Sequence, residues 1–156
     1  MNIFFFLVLH IIGLSAMAGT ALVDFICYSR FWRQYPGGKE KAAAVLPILS
    51  IFRFIFAGGF LLLLISGISM VALSHGLYAE QLWFRIKMGI ILLALLNGAV
   101  VGSRVASKIR KVIAADIAGA NVEASRESLR GRLRMVHMLQ LLFFVTIFVL
   151  SVYKFN

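Results

Sequence analysis

Charge is scarce in this chain, and acidic charge is scarcest: 14% of the 156 residues are charged, six of them acidic against sixteen basic. A soluble domain is roughly a quarter charged and about half apolar. Here 62% of residues are apolar and mean hydropathy is +0.95, too large an excess for an ordinary soluble core. Cysteine is nearly missing as well. Cys27 stands alone, which excludes an internal disulfide and leaves a small apolar packing role as its default. Lys and Arg are absent from residues 74–81, and that gap orients the molecule.

What is present is four apolar blocks. Residues 4–28 carry one acidic side chain, Asp24; residues 46–73 carry one basic side chain, Arg53. Residues 82–101 hold Arg85 and Lys87 near their start, and residues 135–153 hold His137. Each block is long enough to cross a hydrocarbon core, which takes roughly 20 helical residues. Only helices and closed barrels satisfy the backbone in lipid, and these blocks are continuous rather than alternating, so helices are expected. A cleaved signal peptide is the competing reading of the first block. It is disfavoured because no basic segment precedes the block, and Asp24 and the following aromatics do not resemble a small-residue cleavage site.

The expected architecture is all-α: an integral membrane four-helix bundle forming a single transmembrane domain over residues 1–156. Its spans are expected at about 3–28, 47–73, 81–103 and 134–153. The net charge of +10 would suggest a nucleic-acid partner in a soluble protein, but the location of the charge argues otherwise. Arg30, Arg33, Lys39 and Lys41 lie in the first loop. Arg104, Lys108, Arg110, Lys111, Arg126, Arg130, Arg132 and Arg134 lie in or beside the third. The positive-inside rule makes that side cytoplasmic and both termini external. The setting expected is a bacterial inner (cytoplasmic) membrane, with anionic lipid attracted to the basic face and no nucleic-acid partner.

Breakers mark the connections. Pro36-Gly37-Gly38 ends the first helix, and Pro47 suits the first turn of the second, where its missing N–H costs nothing. Ser74-His75-Gly76 ends the second helix; His75 is expected to be solvated. The third helix is expected to outrun the membrane, because basic residues alternate with Val105, Ile109, Val112 and Ile113 in an amphipathic pattern. Gly119-Ala120-Asn121 is the expected turn, after which a cytoplasmic extension of helix four packs back as a hairpin.

Ionisable residues at membrane depth are functional candidates by default. By a rise of ~1.5 Å per residue, His10 and Lys87 lie at comparable depth near the outer face. His10 is read either as a cofactor ligand or as an inter-helix hydrogen-bonding residue. Lys87 supplies a second ligand if deprotonated, or pairs with an acidic group. Asp24 and Arg53 share a deeper level and are expected to form an ion pair, either locking the bundle or serving catalysis. His137 is placed roughly 20 Å below His10, so one haem iron does not take both. Arg85 can snorkel to the outer surface. Gly13, Ala16, Ala18, Gly19, Gly58, Gly59, Gly98 and Gly102 point to close helix approach.

Three stretches carry a family resemblance: Leu9-His10-Ile11-Ile12 with Ala18-Gly19 in helix one, Trp83-Phe84-Arg85-Ile86-Lys87-Met88-Gly89 in helix three, and the run from Arg134 to Lys154-Phe155. Together they resemble the HemJ-type protoporphyrinogen oxidases and the wider CopD-like group of small four-helix membrane proteins. The resemblance implies haem b bound through His10, with Lys87 as the other key polar residue. It also implies an oxidoreductase role in tetrapyrrole metabolism, with electrons passed to a respiratory-chain partner. Three positions depart from the family pattern: Asp24 replaces a basic residue, Asn97-Gly98 replaces a later His, and His137-Met138-Leu139-Gln140 replaces Asn-Glu-x-Pro. The alternative is a non-enzymatic scaffold, partner subunit or small transport-related protein, including a homo-oligomer.

Overall fold

The computed structural model describes residues 2–74, 77 and 80–153. His75 and the Lys154-Phe155 ending lie outside the described residues. Among those described, all regular structure is helical. Helix α1 spans Ile3–Gln34, capped by the Asn2 side chain, and a 3-10 turn follows over Tyr35–Gly37. Two short helices, α2 (Lys39–Ala43) and α3 (Leu46–Leu49), lead into α4 (Phe52–Leu73). The third long helical stretch is α5 (Leu82–Leu95), a π-helical segment (Leu96–Gly102) and α6 (Ser103–Ile117), and α6 is the amphipathic extension beyond the apolar third span. Helix α7 covers Glu123–Val152. Four helical stretches are long and apolar enough to cross a membrane, so this is an integral membrane four-helix bundle.

Two boundaries differ from the sequence expectation. Helix α1 continues past its apolar block to Gln34, because Tyr28, Phe31, Trp32 and Tyr35 are buried in one cluster with Leu46, Leu49, Ile109, Ile113 and Leu133. Those contacts supply the tertiary packing that holds an otherwise polar terminal turn in helix. Pro47 sits in the first turn of the separate α3 rather than of α4. Cys27 packs against the same cluster. The third-loop hairpin forms as expected: Val105, Ile109 and Ile113 of α6 bury against Leu129 and Leu133 of α7. Gly119, with φ of +89°, makes the turn that a side chain would strain.

Helix α4 packs along α1, α7 packs on α1, and α5 with α6 packs on α7. Around the bundle the order is second, first, fourth, third span. Helices α1 and α4 approach closely at Gly13 and Gly59. A Cβ on Gly13 would stand 2.8 Å from the Gly59 carbonyl oxygen, and one on Gly59 would stand 2.9 Å from the Gly13 oxygen. Glycine at both positions lets the backbones touch, the usual device where lipid offers no hydrophobic drive. Gly58, by contrast, faces open space.

The π-helical segment widens the third span where Asn97, Gly98 and Gly102 occur. Asn97 is buried and donates to the Val136 carbonyl at 2.9 Å and to Gln140 Oε1 at 3.0 Å. Single-turn π segments are often found at functional sites, and this one forms one wall of a cavity.

Candidate functional site

Two polar levels lie within the bundle, as the depths of the ionisable residues implied. At the end away from the basic loops, His10 Nδ1 lies 3.0 Å from Ser66 Oγ. Ser66 is completely buried, and its hydroxyl proton is directed to the Leu62 carbonyl at 2.6 Å. A hydroxyl has one proton to give. With the Ser66 proton on Leu62, the matching tautomer has His10 donating from Nδ1–H to Ser66 Oγ, which leaves the Nε2 lone pair available. Gly67 flanks the ring: a Cβ there would sit 3.4 Å from His10 Cε1. Lys87 Nζ donates to Ser151 Oγ at 2.9 Å, and Ser151 passes its own proton to the Ile147 carbonyl. The Lys87 ammonium lies within electrostatic reach of the His10 ring. The sequence placed these two at one depth; Ser66 and Ser151, which orient them, gave no signal beyond being small polar residues in apolar helices.

The second level differs from expectation. Asp24 does not pair with Arg53. Its carboxylate accepts from His137 Nε2 at 2.9 Å, joining α1 to α7. His137 is only 7% exposed and lies against the Phe25 and Tyr28 rings, with centroids at 6.0 and 5.7 Å. Arg53 stands on α4 with its guanidinium near the Phe54 ring. The reason is the order of helices and their rotation: equal depth does not make two residues face each other, and α7 covers the Asp24 face of α1. His137 thus uses Nε2 on a carboxylate.

Asp24, Arg53, His137 and Gln140 nevertheless share one cavity of about 410 Å³, together with Phe56, Phe60, Leu95 and Arg110. It lies between α4 and the third span, with α1 and α7 behind it. Arg53, Ala57, Ala99, Ser107 and Arg110 on its rim are exposed, so it opens sideways. All three departures from the resembled pattern meet here: Asp24 bonds His137, and Asn97 bonds Gln140. Periodicity offered a partial signal for this, since His137 and Gln140 share one helical face.

A third polar cluster was not anticipated. Asp116, buried at the end of α6, accepts from Tyr35 at 2.8 Å and from Lys39 at 2.6 Å, with Arg126 at 3.4 Å. It lies about 20 Å along the helix beyond Ser103, outside the apolar segment. The hydrogen bond from Lys39, then that from Tyr35, holds its carboxyl below the ordinary value of 3.8. This cluster ties the first loop to the third-loop hairpin and is structural in character. Its one legible signal is that Asp116 is the only acidic residue in a basic helix.

Among the described residues, no group of three or more His, Cys, Asp or Glu is placed to hold a metal ion. No curated protein and no solved structure matches the chain. A family model does match, over residues 4–155 and so over nearly all of the four spans: the chain belongs to the family described as predicted integral membrane protein (DUF2269).

Proposed function

We propose that this protein binds haem b within a bacterial inner membrane and serves redox chemistry in tetrapyrrole metabolism, with His10 as the iron ligand. The observation that carries this reading is the His10–Ser66 hydrogen bond. In this reading the Ser66 proton goes to Leu62, His10 donates from Nδ1–H to Ser66, and Nε2 is the lone-pair donor. Metal-binding histidines are oriented in this way, by a hydrogen bond from the other ring nitrogen. Lys87, anchored on Ser151, offers a positive charge for a carboxylate of the bound group. Further support comes from the HemJ-like stretches around His10 and Lys87. The group, when bound, supplies one-electron chemistry at iron. The protein's part is to orient the ligating nitrogen through the Ser66 contact.

The test is spectroscopic. The protein is purified in mild detergent, supplemented with haem, and its visible spectrum recorded oxidised and reduced. A Soret band that His10→Ala abolishes and His137→Ala leaves in place supports the reading. No band after supplementation sinks it and leaves the non-enzymatic scaffold, in which His10–Ser66 is simply an inter-helix hydrogen bond.

A further inference from the structure

The sideways-opening cavity carries an inference of its own, independent of His10. Its chemistry is graded along the membrane normal. Arg53 and Arg110 flank it at the basic end, one on each wall. Among the described residues, neither has a carboxylate within 4 Å, the carboxylate of Asp24 being taken by His137. Further in, about one turn of α7 from His137, is Gln140, only 4% exposed. Its Oε1 is used by Asn97, while its Nε2 has no hydrogen-bond partner. An unsatisfied buried donor costs roughly 1–3 kcal/mol, and in lipid no bulk water relieves it. Phe56 stands at the same level as Gln140, both beside Gly98, and deeper still the walls are Phe60 and Leu95.

Two cations, then a lone amide donor, then an apolar end make a sequence of groups that matches one kind of molecule. We propose that the cleft between α4 and the third span binds a phosphate-headed amphiphile from the leaflet at the basic end. The headgroup oxyanion sits between Arg53 and Arg110, the Gln140 amide donates to a carbonyl or hydroxyl oxygen below it, and the chain leaves along Phe56 and Phe60. Guanidinium groups suit phosphate because their donors match its oxygens in pairs. The volume falls in the usual range of roughly 300–1,000 Å³ for ligand sites, and the sideways opening lets the chain extend into surrounding lipid. A patch of surface charge would attract acidic lipid too, but it would need neither a buried donor nor an apolar wall.

The experiment is a titration of the purified protein, in neutral detergent, with phosphatidylglycerol, phosphatidylcholine or inorganic phosphate. It is read by native mass spectrometry and by the thermal unfolding midpoint. The expected result is saturable binding of phosphatidylglycerol, at least about fivefold tighter than phosphatidylcholine. Arg53→Gln with Arg110→Gln should bring it down to the phosphatidylcholine level. Lys108→Gln with Lys111→Gln, which removes two exposed charges of the same helix outside the cleft, should leave it intact. Ala99→Phe, which keeps both arginines but fills the wall, should weaken it as well, and serves if the arginine variant unfolds. The proposal is overturned if the two lipids bind alike, or if the lysine variant loses as much as the arginine variant. It also fails if Ala99→Phe binds as the parent does, or if inorganic phosphate alone gives the full stabilisation.

Discussion

His137 Nε2 donates to Asp24 at 2.9 Å, and through this contact the last span is locked to the first. Asp24 is 27% exposed and His137 8% at their side chains, so the bond is partly shielded from solvent. Removing the charge leaves a buried imidazole with a poorer acceptor. Asp24→Asn is expected to lower stability by about 1–3 kcal/mol, measured by thermal or denaturant unfolding in detergent. Arg53→Gln should change it by less than about 0.5 kcal/mol. Equal losses from the two variants would restore the Asp24–Arg53 clamp that depth alone suggested.

The adjacent glycines of α4 separate in the same way. Gly59→Ala places a methyl group 2.9 Å from the Gly13 oxygen and from Met17 Cγ, and overpacking of this kind costs about 1–3 kcal/mol. Gly58→Ala meets nothing within 4 Å and should be neutral or mildly stabilising, since alanine suits a helix better than glycine. The unfolding midpoint should therefore fall for Gly59→Ala and hold or rise slightly for Gly58→Ala. A shared loss would mean that the crossing is not at Gly59.

Ser66→Ala tests orientation rather than ligation. On the proposed reading Nε2 is left as the ligand, but the Nδ1–H loses its acceptor. Loss of such an outer partner typically weakens metal affinity about 10–100-fold. Haem titration should show a Soret band at higher haem concentration, with a shifted reduction potential. A band as tightly held as in the parent would remove Ser66 from the site.

At the basic end, the depressed Asp116 carboxyl makes stability depend on pH in a defined sense. A group whose folded pKa lies below its unfolded value contributes fully above the unfolded value and loses that contribution as pH falls through the folded one. The gap in unfolding midpoint between the parent and Asp116→Asn should be constant at neutral pH and shrink once pH drops below about 4. A gap that persists unchanged in acid would mean that the carboxylate charge is not what Lys39 and Tyr35 hold.

The spans, their number and their helical nature were legible in the sequence because they rest on local quantities: continuous apolar length, breakers at Pro36 and Gly119, and the amphipathic repeat through Val105, Ile109 and Ile113. Position along each helix could be counted too, since helical rise is constant, and that count set His10 level with Lys87 and Asp24 level with Arg53. Which residue faces which was decided only by tertiary packing. The Gly13–Gly59 contact sets α4 against α1, α7 covers the Asp24 face, and the π-helical segment turns Asn97 toward Gln140. Helix rotation and neighbour order arise from contacts between distant segments, and no periodicity along one helix contains them. For that reason the sequence determined a four-span membrane bundle with polar residues at two levels, and only the folded arrangement gave Asp24 to His137 and left Arg53 and Arg110 facing an open cleft.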